Sequence, residues 1–122
     1  MGEAGVSDDF FARRAVARAR LDAIDPHKTP GGAEADPLRK GWFEAAYRLA
    51  DSDPAGVPWA QLAPHPLLAD WLAGRGAPIG ARVVDVGCGL GDNAEAFAAA
   101  GATVTAFDLV ADAVAWARRR FP

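Results

Sequence analysis

Polar and apolar positions along the chain change their rhythm near residue 77. Before it they follow a helical period. Ser7, Asp8 and Asp9 form a helix start, a side-chain cap followed by acids in the positive first turn. Phe10, Ala17, Leu21 and Ile24 then recur on one face, with Arg13, Arg14, Arg18 and Arg20 beside them. Asp25-Pro26 ends that helix, and "DPHKTPGGAEADP" reads as a loop because of its prolines and paired glycines. Asp36-Pro37 restarts a helix, with Leu38, Trp42, Ala45 and Leu49 as its buried stripe and Phe43 and Tyr47 alongside. A second loop, "DSDPAGVPW", precedes a short helix over 64–72 in which Leu68, Trp71 and Leu72 cluster.

From residue 77 the pattern is that of alternating strands and helices. "ARVVDVG" is a short β-branched run bounded by glycine, the look of a buried parallel strand. Residues 92–100 are helical, and Gly101 is placed as the C-terminal cap. "ATVTAF" is a second strand, and 111–120 a second helix whose terminal arginines, Arg118 to Arg120, read as a solvated end favoured by the helix dipole. Strand, helix, strand, helix with tight connections is the opening of a parallel sheet. Two parallel strands leave both edges and a face open. The chain is therefore expected to be the first part of a larger domain, or to pair with another copy through its open sheet edge.

The glycine-rich turn after the first strand, "VVDVGCGLGDN", narrows the chemistry. Such a turn aims backbone N–H groups at a ligand above the strand ends, and Gly87, Gly89 and Gly91 let that ligand approach without a Cβ in the way. The dinucleotide pattern wants a third small residue at position 92, where this chain has Asp92. An aspartate about 4 Å from a phosphate would cost about 4 kcal/mol at an effective dielectric near 20, which argues for a ligand without phosphate. No Gly-Lys-Ser/Thr follows, so this is not a Walker loop. Asp85 at the strand end is costly to bury without a partner, and a cationic ligand would supply one. Asp108 ends the second strand, where an acid accepts both hydroxyls of a ribose. A ribose, no phosphate and a positive charge together describe S-adenosylmethionine.

These residues carry a family resemblance. "VVDVGCGLG" and "VTAFDL" resemble the first and second motifs of class I S-adenosylmethionine-dependent methyltransferases, and "VADAVAWARRRFP" is similar to the helix that follows. The resemblance implies an α/β, Rossmann-like fold, present here as its first two parallel strands and their helices. Residues 77–122 would begin that domain, and residues 1–76 would be an N-terminal helical extension or lid. It also implies Asp85 and the backbone of Gly87, Gly89 and Gly91 near the methionine part of the cofactor, Asp108 on the ribose and Leu109 near the adenine. The front segment, "GWFEAAYRLADSDPAGVPWAQLAPHPLLADWL", is similar to that of bacterial small-molecule methyltransferases of the thiopurine and tellurite-resistance type. There a "PW" tryptophan helps cover the cofactor, and Trp59 is its match, with packing an equal alternative. Asn93 reads as a helix-start residue that would also reach the cofactor carboxylate.

Composition agrees with an enzyme acting on a small molecule. The 122 residues carry a net charge of −3, so no basic field invites nucleic acid. The one cysteine, Cys88, fits a reducing cytoplasm and reads as a packing residue. No apolar run reaches the roughly 20 residues of a membrane span, and the acids near the N-terminus do not suit a secretory signal. His27 and His65 have no partners at metal-ligand spacing, so no metal is expected. Trp42, Trp71 and Trp116 lie on helical stripes and are expected in the core. No residue is assigned a catalytic role. Two other readings stay open: a non-catalytic piece of such a domain, and a nicotinamide-dependent oxidoreductase.

Overall fold

The computed structural model describes residues 7–76 and 79–122. The sequence readings that rest on the first six residues, and the domain boundary placed at 76/77, fall wholly or partly outside these. In chain order the helices are α1 (Asp8–Ala23), α2 (Gly32–Ala35), α3 (Lys40–Ala50), α4 (Pro66–Gly74), α5 (Asp92–Ala99) and α6 (Ala111–Arg120). The strands β1 (Arg82–Val86) and β2 (Thr103–Phe107) flank α5, and short 3₁₀ turns occupy Pro26–Lys28 and Pro54–Gly56. The chain divides into two compact units, one running to Ala60 and the other Gln61–Pro122.

The first unit is helical. Ser7 caps α1, its hydroxyl accepting from the Phe10 N–H at 3.1 Å. Phe10, Ala17 and Leu21 are buried as their period requires, whereas Ile24 lies just past the last turn and is exposed. Two arginines tie α1 to the loop after α3. Arg13 Nε donates to Asp53 at 2.9 Å, and Arg14 donates to the Pro54 and Val57 carbonyls at 2.9 and 3.0 Å. Under that clamp Val57 is fully buried beside Ala55. Fully burying Leu21 and Val57 stabilises the unit by about 1.5–3 kcal/mol each.

Asp36 does cap α3, but from further upstream than the sequence suggests. Its carboxylate accepts from Lys40 and Gly41 N–H at 2.9 and 3.1 Å, with Arg39 in the left-handed region at φ 54°. Residues 37–39 therefore form a turn, not a first helical turn. That shifts the buried face of α3 to Ala45, Ala46, Tyr47 and Ala50, and leaves Leu38 and Leu49 exposed. The loop read over 25–37 contains two short helical turns, the first capped by Asp25, which accepts from His27 N–H at 2.9 Å.

The second unit holds the sheet. β1 and β2 pair in parallel from Arg82↔Thr103 to Val86↔Phe107, and α5 packs on both strands. Helix α4 groups with this unit rather than with the front helices. Trp71 meets the Phe97 ring of α5 at 6.2 Å between centroids, and the His65 N–H donates to Asn93 Oδ1 at 2.8 Å. Trp71 is nonetheless half-exposed and Trp42 only partly buried, so of the three helical tryptophans Trp116 alone is core. The strands are covered on one face. Val84 and Val86 on the other are 61% and 72% exposed, so β1 is not buried as its β-branched run suggests, and one face stays open, as expected of two strands alone. Val110, Ala113, Trp116 and Leu90 are buried in this unit. Among the described residues no helix is long and apolar enough to cross a membrane.

The packing of the loop after α3 on that helix yields a stability test. A Cβ on Gly56 would lie 2.7 Å from Ala50 Cα and Cβ, whereas one on Gly74 meets open space. Gly56→Ala is expected to lower stability by about 1–3 kcal/mol. Gly74→Ala, at the end of α4, is expected to leave the denaturation midpoint unchanged or slightly raised. Urea titration of both variants checks this, and equal midpoints would contradict the packing described.

Candidate functional site: the glycine loop between the strand ends

The loop after β1 is a run of left-handed glycines, Gly87 at φ 69°, Gly89 at φ 55° and Gly91 at φ 91°. A residue with a side chain resists each of these conformations. Gly87 has nothing within 4 Å of where a Cβ would stand. At Gly91 that Cβ would lie 3.1 Å from Ala117 Cβ and 3.3 Å from the Phe121 ring, so this glycine lets α6 approach the loop. The loop continues the sheet, since Cys88 N–H donates to the Phe107 carbonyl at 3.0 Å.

Asp108 binds the loop to the second strand end. One carboxylate oxygen accepts from Gly89 N–H at 2.9 Å and the other from Val110 N–H at 3.0 Å. The carboxylate therefore orders the glycine turn and the start of α6 together, with lone pairs left over for a ligand. Leu109, next to it, is half-exposed. Asp85 stands near Asp108 with one side-chain oxygen buried and without a hydrogen-bond partner. Burial, and after it the negative charge of Asp108, pushes the Asp85 carboxyl above the usual carboxylate range. The Cys88 thiol is likewise pushed up, first by burial and then by the two carboxylates, which suits packing and not reactivity.

The structure thus brings Asp85, Gly87, Gly89, Gly91, Asp108 and Leu109 together. Trp59 belongs to the other compact unit. There it packs among Trp42, Phe43 and Tyr47, with centroids 5.3–5.9 Å away, and its indole N–H donates to the Tyr47 hydroxyl at 3.1 Å. Asn93 spends its side-chain oxygen on the His65 backbone. Among the described residues no cluster of three or more His, Cys, Asp or Glu could hold a metal.

Asp92 corrects one step of the sequence argument. Its carboxylate is held by Arg120, Nη1 donating at 2.8 Å and Nη2 at 3.0 Å. The bare charge expected to repel a phosphate is therefore neutralised, and the distinction from dinucleotide binders cannot rest on it. Arg120 in turn is no solvated helix end. No local pattern pairs residues so far apart in sequence; only the strand–helix–strand–helix fold brings them together.

Comparison with known proteins decides the class. The family model described as "Methyltransferase domain" matches residues 83–122, which take in most of β1, the glycine loop, α5, β2 and α6. Residues 83–122 belong to the class I methyltransferase family. Use of S-adenosylmethionine is implied by that membership. A ubiquinone biosynthesis O-methyltransferase of Aromatoleum aromaticum is 40% identical over 85 residues, 69% of this chain and 36% of its own length. Proteins of the same name from Xanthomonas campestris pv. campestris and Xylella fastidiosa are 47% and 46% identical over 73 and 66 residues, 60% and 54% of this chain and 30% and 27% of theirs. These matches are longer than the family segment, so they extend into the front residues. Their name differs from the thiopurine and tellurite-resistance type to which the front segment is similar. The chain spans about a third of the length of these relatives. No solved structure gives a significant match.

The state of Asp85 generates a pH test. A carboxyl whose folded-state pKa is raised supports the fold fully below its unfolded value and loses that support as pH rises through the raised value. Asp85→Asn, neutral throughout, is expected to raise the thermal midpoint at about pH 7, with the gain disappearing at about pH 3, below the ordinary aspartate value. A gain equal at both pH values would show that charge is not its cause.

Proposed function

We propose that this chain binds S-adenosylmethionine at the glycine loop, as part of an enzyme that methylates a small molecule. The single observation that carries the reading is the buried, unpartnered oxygen of Asp85 beside the glycine turn. A buried anionic oxygen without a donor is unfavourable, and a ligand bearing a positively charged amine or sulfonium relieves it. Asp108 lies at the end of the neighbouring strand with acceptor capacity beyond its two backbone bonds, which supports its assignment to the ribose hydroxyls. The open space at Gly87 supports close approach of the methionine portion, and half-exposed Leu109 an adenine contact. Gly89 gives its N–H to Asp108, and Gly91 its open side to α6, so both serve the site by shaping the turn.

S-adenosylmethionine supplies an activated methyl group on a sulfonium centre. The residues of this chain would hold and orient that group and exclude water from it, effects that together are worth several kcal/mol of barrier. The names of the relatives support an oxygen atom on a small molecule as the methyl acceptor. The acidic net charge supports a partner other than nucleic acid, and a cytoplasmic location follows from the same reading. Residues 1–76 would serve as a helical extension or lid.

A second reading is favoured by one specific observation. Val84, Val86 and Phe107 are exposed on the sheet. A cofactor-binding piece that associates with itself through the open edge and face would cover them. A mass that rises with concentration in light scattering supports that reading, and a constant monomer mass removes it.

The cofactor is tested by calorimetric titration of the folded chain with S-adenosylhomocysteine, with NADH as control. Saturable binding of the first alone is expected. Asp108→Ala is expected to weaken it by about 1.5–3 kcal/mol, the value of charge-assisted hydrogen bonds. Unchanged affinity in that variant would remove the ribose role.

A further inference from the structure

We infer that Arg120 is a positioning residue for the glycine loop, setting its ligand affinity from outside the pocket. The inference rests on the reading of that loop as the cofactor site. The guanidinium at the end of α6 makes three hydrogen bonds to the loop and to the helix it opens. Nη1 donates to the Leu90 carbonyl at 2.9 Å and to Asp92 Oδ2 at 2.8 Å, and Nη2 donates to Asp92 Oδ1 at 3.0 Å. Both side chains are largely shielded, at 23% and 16% exposure, so the pair is screened far less than a surface ion pair.

The bond to Leu90 is the informative one. The peptide between Leu90 and Gly91 is planar, so fixing its carbonyl fixes the direction of its N–H. That N–H, on Gly91, donates to the Cys88 carbonyl at 3.0 Å. One peptide plane of the loop is thereby gripped on both sides, by Arg120 on its oxygen and by Cys88 on its hydrogen. Phe121 completes the grip, with its ring 4.8 Å beneath the Arg120 guanidinium and against the open side of Gly91. A loop with three left-handed glycines has many unfolded-like alternatives, and a ligand that must order it binds more weakly. Arg120 removes those alternatives beforehand. Lysine cannot replace it fully, because a single ammonium lacks the fork that reaches the carbonyl and both carboxylate oxygens together.

The test uses the full chain and two readouts, calorimetric affinity for S-adenosylhomocysteine and amide hydrogen exchange by NMR. Arg120→Ala is expected to weaken binding about tenfold, as the loss of one charge-assisted bond would. It is also expected to speed exchange at Gly89 and Gly91 while amides of β1 and β2 keep their protection. Arg120→Lys, which retains the charge and guards against misfolding, is expected to recover part of both effects, and Arg119→Ala, at the exposed neighbour, to show neither. Asp92→Ala added to Arg120→Ala is expected to cost no more than Arg120→Ala alone, because the two groups act as one unit. Wild-type affinity with unchanged Gly89 and Gly91 exchange in Arg120→Ala overturns the inference. So does faster exchange spread evenly over both strands, the mark of a role in global stability. If the wild-type chain itself fails to bind S-adenosylhomocysteine, the cofactor reading fails separately, and the exchange pattern alone decides whether Arg120 holds the loop.

Discussion

Asp108 accepts a hydrogen bond from each side of the strand end on which it sits, from Gly89 in the loop after β1 and from Val110 at the start of α6. The other features of the site follow from that one carboxylate. It holds the glycine turn against the end of β2, where Cys88 N–H extends the ladder to the Phe107 carbonyl. It sets where α6 begins, so that Ala117, Arg120 and Phe121 at its far end return to the loop at Gly91, Leu90 and Asp92. And its charge adds to burial in raising the pKa of Asp85. Two neighbouring acids repel one another and are favourable around a cation.

The site therefore has an inner and an outer layer. Inside, Asp85 and Asp108 provide the polarity a ribose and a positive group would use. Outside, the Asp92–Arg120 pair and the Phe121 ring hold the turn in shape. This division of labour explains why the loop tolerates so many glycines. The freedom they introduce is removed by contacts from the chain segment that follows β2, and the backbone stays accessible on the opposite side.

Much of this was legible from local sequence. The strands, α5 and α6 appear where β-branched runs, glycine punctuation and Gly101 place them, because each signal acts within a few residues. The grouping of Asp85, Gly87, Gly89 and Asp108 followed from the strand–loop–helix grammar. The misreadings have physical causes. A helix that starts at Asp36-Pro37 would put Leu38 on its buried stripe, whereas Arg39 in a left-handed conformation delays the start to Lys40. The composition of β1 suggests a buried strand, but burial depends on what packs on it, and only one face is covered here. The roles of Asp92 and Arg120 were hidden because neither residue carries information about a partner at such separation. Helix α4 looked like part of the front helices because Trp71 finds Phe97 only in three dimensions.

The central claim is that one buried oxygen of Asp85 is kept without a hydrogen-bond partner for a positively charged ligand. Carboxyl-carbon NMR of Asp85, titrated against pH with and without S-adenosylhomocysteine, tests it at the atom concerned. The account predicts a pKa above the usual aspartate range in the free chain and a fall on saturation, as the ligand's ammonium stabilises the carboxylate. A pKa already ordinary in the free chain, or one that binding leaves unmoved, would contradict it.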